Sequence, residues 1–162
     1  MVEDMIKIIS IDPDKCTSCR ACELACSMKQ TGEFNPAKSR INAIINAEEA
    51  FYLPMTCLQC EDPYCARICP SNAITRDEAT GIVSVEEKKC SGCKMCMLAC
   101  PFGVLRYSEG KVVKCDLCGG DPECVRFCAP GALKFVEAEK AFVYKEKAAS
   151  KKLMEIYKGV RL

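Results

Sequence analysis

Apolar residues along this chain come in short bursts separated by turn residues and cysteines. Residues 5–11 (MIKIISI) are apolar and β-branched and predict a strand. A turn around Pro13 follows, and the helix-forming residues 20–29 predict a short helix. Residues 27–56 hold no cysteine and are broken early by Gly32, Asn35 and Pro36, with a strand predicted over 40–45. They form either a connector across the sheet or a surface for a partner. Residues 73–75 and 82–85 pair as a hairpin around 77–81, and 103–107 with 111–114 as a second around Ser108, Glu109 and Gly110. Residues 132–136 predict another strand, and 142–144 one more. From Glu146 the period becomes helical, with Ala149, Leu153, Ile156, Tyr157 and Val160 on one face. That tail helix either covers the chain's own core or docks a partner.

Bursts this short leave little for a large core, and the residues between them explain why. Of 162 residues, 16 are Cys, above the level that marks a Cys-based scaffold. They fall into four groups of four. Cys16, Cys19, Cys22 and Cys26 sit in CTSCRACELAC, and Cys90, Cys93, Cys96 and Cys100 in CSGCKMCMLACP, with identical spacing. Cys57, Cys60, Cys65 and Cys69 (CLQCEDPYCARICP) and Cys115, Cys118, Cys124 and Cys128 (CDLCGGDPECVRFCAP) have one longer gap, filled by turn residues. Each group is followed by Pro or Gly and a short strand, so the chain is an internal repeat.

The spacing selects the metal chemistry. Three thiolates, each two residues apart, can wrap three corners of a cubane cluster, and a fourth Cys is led away by the next helix towards a neighbouring cluster. Four-cysteine zinc sites are normally built from two separate CxxC pairs, which does not explain CxxCxxCxxxC. The four quartets account for every Cys and predict four [4Fe–4S] clusters. With each iron capped, and with no His as general base, the chemistry left is one-electron transfer, not catalysis. The radical-forming CxxxCxxC spacing is absent.

Charge and hydropathy narrow the setting. The start MVEDMIKIISID lacks a basic region followed by a long apolar run, and no stretch of about 18 apolar residues occurs, so neither export nor membrane insertion is expected. A cytoplasmic protein keeps its thiols reduced, which sets disulfides aside. The formal charge of +1 becomes about −7 once four clusters at −2 each are bound. Lys15, Arg20, Lys88, Lys89, Lys94, Lys111, Lys114 and Arg126 lie near the ligand runs, as solvated charges or as an offset to the clusters. No dense basic block interleaved with aromatics points to nucleic acid. Ile68, Leu98, Phe102 and Phe127 are expected to exclude water from the clusters.

CLQCEDPYCARICPSNAI, CSGCKMCMLACPFGVLRY and KCDLCGGDPECVRFCAPGAL together resemble the four-cluster ferredoxin-type electron-transfer subunits of multi-subunit oxidoreductases. Such subunits serve the dimethyl sulfoxide reductase and formate dehydrogenase group, formate hydrogenlyase, carbon monoxide dehydrogenase and tungsten-dependent aldehyde oxidoreductases. The compact fourth motif is most similar to the last two. The resemblance implies an α+β fold of two nested ferredoxin-like halves related by a pseudo-two-fold, with short strands and helices around four cubanes. The outer half would take residues 1–56 and 102–136, the inner half 57–101, and 137–162 would be an extension. The implied clusters are Cys16, Cys19, Cys22 with Cys128; Cys115, Cys118, Cys124 with Cys26; Cys57, Cys60, Cys65 with Cys100; and Cys90, Cys93, Cys96 with Cys69.

The expected partners are a larger catalytic oxidoreductase subunit, best matched by a tungsten aldehyde oxidoreductase type, and a second redox protein. The partnership leaves hetero-oligomer or end-to-end assembly open. A free polyferredoxin shuttle is the alternative of the same chemistry, and a zinc-binding interaction module the alternative of another class.

Overall fold

The computed structural model describes residues 6–141 together with Val143, Glu146, Ser150 and Met154. Strand β1 (Lys7–Ile11) leads into a single 3-10 turn at Pro13–Lys15, and helix α1 (Ala21–Thr31) follows. Gly32, at φ 73°, ends α1 and donates its N–H to the Met28 carbonyl, a left-handed cap that glycine adopts without a Cβ penalty. Beyond it β2 (Asn42–Asn46) and β3 (Phe51–Met55) form an antiparallel hairpin. Next come α2 (Tyr64–Arg67), β4 (Ile74–Arg76), β5 (Val83–Val85) and α3 (Met95–Ala99). The chain continues through β6 (Arg106–Ser108), β7 (Lys111–Val113), α4 (Glu123–Arg126) and β8 (Leu133–Glu137).

All four sheets among the described residues are two-stranded and antiparallel. β4 with β5 and β6 with β7 are the two hairpins expected from the sequence. β1 pairs with β8, Ile9 opposite Phe135, closing the first strand onto the last. α1 packs against α4, and α2 against α3. The result is a small mixed α and β fold of short elements.

The core joins those pieces through a few aliphatics and the cysteines themselves. Ile9, Ile41, Ile74, Val83, Val112, Leu117 and Leu133 are buried in one cluster with Cys22, Cys26, Cys57, Cys96, Cys115 and Cys124. Sulfur occupies positions that Leu or Val would fill in an ordinary domain of this size.

Several expectations change. The 27–56 stretch holds a second strand, β3, because residues 51–55 pair with 42–46 across a turn whose Ala50 sits at φ 49°. Val143 is helical, not extended, since the chain turns from β8 directly into helix at Ala138; Phe142 and Tyr144 lie outside the described residues. Glu146, Ser150 and Met154 are helical as expected, while Ala149, Leu153, Ile156, Tyr157 and Val160 lie outside the described residues. Ile68, Leu98, Phe102 and Phe127 are exposed, Leu98 at 83%. Leu98 lies on α3, while Ile68, Phe127 and Phe102 lie past the ends of α2, α4 and α3, all open to solvent; Ala43, Pro54, Ile74, Val85, Val112 and Leu133 line the cysteine cavities instead.

Candidate metal centres

Each cysteine run makes the same local bend. The residue before the second Cys is left-handed in all four: Ser18 at φ 58°, Gln59 at 52°, Gly92 at 72° and Leu117 at 55°. For a residue with a Cβ this conformation costs roughly 1–2 kcal/mol. A strained geometry repeated at one position of four separate loops marks a functional constraint rather than an accident. Backbone N–H groups turned inward by such bends form concavities that suit anions, iron–sulfur centres among them.

The helices that carry the later cysteines start in two ways. In the first and third runs the helix follows a left-handed residue, Arg20 (φ 58°) or Lys94 (φ 63°). In the second and fourth it follows Pro63 or Pro122, each after an Asp. Pro at this point needs no N–H partner and its φ is pre-set, so the longer gap and the Pro are one device.

Cysteines from different runs meet in space. One cavity is lined by Cys16, Cys19 and Cys22 together with Cys128, and roofed by Ala43 and Pro54 of the β2–β3 hairpin. Another is lined by Cys90, Cys93 and Cys96 together with Cys69. Cys100 stands within electrostatic reach of Cys60 and Cys65, and Cys26 of Cys118 and Cys124. Among the described residues, no three Cys, Asp, Glu or His groups are close enough to share a single metal ion. Four sulfurs around a common void match the four corners of a cubane cluster.

The thiols are poised for a cationic core. Burial pushes Cys22 up to about 12, helped by the adjacent Glu23 carboxylate. Burial raises Cys65 and Cys115 to about 11, although the Lys114 ammonium lowers both. Cys124 rises further, by burial and by the nearby thiols of Cys115, Cys26 and Cys118. Burial also raises Cys60, Cys96 and Cys118. At Cys69 burial is slight, and hydrogen bonds from Ser71 and from the Ala73 N–H outweigh it, so its thiol is lowered. Several thiolates cannot coexist in such sites without positive charge between them, and iron supplies it.

Backbone donors reach the sulfurs directly. Arg40 N–H donates to Cys26 Sγ at 3.3 Å, Ala73 N–H to Cys69 Sγ at 3.3 Å, and Leu133 N–H to Cys128 Sγ at 3.4 Å. These three acceptors are each the fourth Cys of a run; Leu117 N–H also donates to Cys115 Sγ, the first of its run, at 3.5 Å. Such bonds to sulfur are one of the levers that set cluster potential.

Among the buried polar residues described, Glu23, Gln59 and Lys114 lie in or beside the ligand runs. Glu23, 1% exposed, accepts from Arg20 Nε at 2.6 Å and from Ala43 N–H at 2.7 Å, tying α1 to the β2–β3 hairpin. Gln59 donates to the Cys115 carbonyl at 2.9 Å and accepts from Val83 N–H at 2.8 Å. Lys114 is 2% exposed, which leaves, of the two readings for the charges near the ligand runs, the offset to cluster charge and not the solvated one. Glu23 and Gln59 went unnoticed in the sequence; their only signal is a polar residue inside a ligand run.

Comparison with known proteins agrees with this geometry. A 4Fe–4S dicluster domain model matches residues 48–138, and a second model of the same description matches 15–74. The polyferredoxin-like subunit of aliphatic sulfonate oxidoreductase from Pyrococcus furiosus is 44% identical, over 89% of this chain and 85% of its own length. The B subunit of the anaerobic dimethyl sulfoxide reductase of Escherichia coli is 38% identical, over 77% of this chain and 70% of its own length. The beta subunit of NADH-dependent phenylglyoxylate dehydrogenase from Aromatoleum evansii is 37% identical over 85% of this chain, which spans 31% of that longer protein. The two dicluster matches and the 16 cysteines fit four [4Fe–4S] clusters. Among the described residues no helix is long and apolar enough to cross a membrane. The chain belongs to the 4Fe–4S dicluster ferredoxin family and is an iron–sulfur electron-transfer subunit of the oxidoreductase type, not a catalytic subunit.

Proposed function

We propose that the chain relays single electrons through four [4Fe–4S] clusters between a larger catalytic oxidoreductase subunit and a second redox partner. The observation that carries this is the pair of cavities, each lined by three cysteines of one run and the fourth Cys of another. The proposed ligand sets are Cys16, Cys19, Cys22, Cys128; Cys26, Cys115, Cys118, Cys124; Cys57, Cys60, Cys65, Cys100; and Cys69, Cys90, Cys93, Cys96. Each bound cluster supplies a site that takes up and gives back one electron. The chain holds the sulfurs, excludes water with the aliphatics named above, and aims N–H groups at the sulfurs.

Two nested halves follow from the same reading. The outer half joins runs one and four, through the β1–β8 pair and the α1–α4 contact; the inner half, residues 57–101, joins runs two and three, through α2 and α3. Each half then contains one helix begun at a left-handed residue and one begun after Pro, as a pseudo-two-fold requires. Cys57 lies within electrostatic reach of Cys115, and Cys22 of Cys124. That gives a linear order in which the clusters of Cys69, Cys90, Cys93, Cys96 and of Cys16, Cys19, Cys22, Cys128 are terminal. The exposed cysteines, Cys93 and Cys19, belong to those two.

Serine variants test the pairing. Cys57→Ser and Cys100→Ser should abolish the same reduced-cluster signal in electron paramagnetic resonance, and Cys90→Ser and Cys69→Ser another. Cys100→Ser grouping with Cys90→Ser would refute it. The catalytic partner is proposed to be a tungsten aldehyde oxidoreductase-type subunit, supported by the compact fourth motif. The 44% identity to a subunit of an aliphatic sulfonate oxidoreductase supports a catalytic partner of some kind. Anaerobic pull-down should recover a large tungsten-containing protein; a partner free of tungsten would sink that assignment.

A further inference from the structure

Among the described residues, Lys114 is the largest side chain with almost no solvent access, at 2%. Its ammonium donates to the Val83 carbonyl of the inner half and, at 2.7 Å, to the Cys115 carbonyl of the outer half. It therefore sits where the two halves meet. Burying an ammonium costs several kcal/mol unless charge nearby compensates. Its two carbonyl partners carry no net charge, and neutral donors could serve them: Gln59 already donates to the Cys115 carbonyl. The groups that feel its charge are cysteines, Cys60 and Cys65 on one side and Cys115 on the other.

We propose that Lys114 is a fixed internal counter-charge that tunes the central step of the electron path, favouring the reduced state of the cluster held by Cys57, Cys60, Cys65 and Cys100. Adding an electron to a cubane adds one negative charge, and a cation in a low-dielectric site stabilises the reduced form more than the oxidised one. The bond of Lys114 to the Val83 carbonyl seats the ammonium against the inner half, whose Cys60 and Cys65 feel its charge. The electron then meets a more favourable site at the junction of the halves instead of stalling in the terminal cluster. The proposal rests on the ligand sets above, and their failure shows separately, in the grouping of serine variants.

The test is a redox titration of anaerobic Lys114→Gln holoprotein, followed by electron paramagnetic resonance. Gln keeps donors for the carbonyls and removes the charge. At full iron loading, the signal that Cys57→Ser abolishes should show a reduction equilibrium constant lowered about tenfold, 59 mV for one electron, while Lys114→Arg stays within about threefold of the natural protein. Unchanged potentials in fully loaded Lys114→Gln, or a shift confined to a different cluster, would overturn the proposal. If Lys114→Gln loads poorly, natural holoprotein grown on 15Nζ-lysine provides the second measurement. A 15N hyperfine coupling on that reduced cluster, lost in Lys114→Arg, is expected; no coupling in the natural protein would overturn it.

Discussion

Gly92 tests whether the loop bend belongs to cluster binding or is mere turn chemistry. It sits at φ 72° in the Cys90–Cys93 loop, and a Cβ there would approach the Gly110 carbonyl oxygen closer than 3.0 Å, a separation that real Cβ atoms do not show. Gly110 is backbone of the β6–β7 turn, so it cannot swing aside. Gly103, at φ 59°, has nothing within 4 Å of the same atom and serves as the control. Both Ala variants bear the left-handed cost of about 1–2 kcal/mol. Only Gly92→Ala adds overpacking, about 1–3 kcal/mol. If that difference falls on the unfolding barrier, Gly92→Ala loses its clusters about 5- to 150-fold faster than Gly103→Ala. The assay is bleaching of the absorbance near 400 nm in anaerobic guanidinium. Equal rates for the two variants would show that the seat of this loop on the β6–β7 turn does not hold the site together.

Three further outcomes are expected. Gln59→Ala removes both bonds of a buried side chain, about 1–3 kcal/mol, whereas Gln59→Gly also relieves the left-handed strain; bleaching should therefore be about fivefold slower in the Gly variant, and the reverse order would deny that strain. Glu23→Ala leaves the Ala43 N–H without its acceptor, and a loss of about 2 kcal/mol should speed bleaching about 30-fold; Glu23→Gln, which keeps an acceptor, should lose less than half of that in free energy. Chelation or oxidative loss of clusters should collapse the fold, because sulfur fills the core and metal–thiolate bonding is part of folding; a native-like circular dichroism spectrum of cluster-free protein would contradict this.

The sequence disclosed the site more fully than the fold around it. Cysteine spacing is set by the shape of a cubane, so the four quartets could be read without knowing any tertiary contact. The β4–β5 and β6–β7 hairpins were also legible, since Asp77–Gly81 and Ser108–Gly110 carry local turn signals. The β1–β8 pair was not, because it joins the two ends of the repeat and no local residue encodes its partner. β3 was missed because Pro54 and the short polar turn before Phe51 mask the strand pattern. Lys114 reads as one of eight charges near the ligand runs, solvated or offsetting a cluster, and no local residue marks it as the buried one. Ile68 and Phe127 read as core by composition, but they sit just past α2 and α4, helices too short to have an inner face at that point.

The central claim is that sixteen cysteines hold four polynuclear clusters through which one electron passes at a time. Iron and acid-labile sulfide analysis of the anaerobic protein, with spin quantitation after full reduction, tests it most directly. About sixteen irons and sixteen sulfides per chain are expected, with up to about four unpaired spins. A colourless protein carrying about four zincs and no sulfide would contradict the claim.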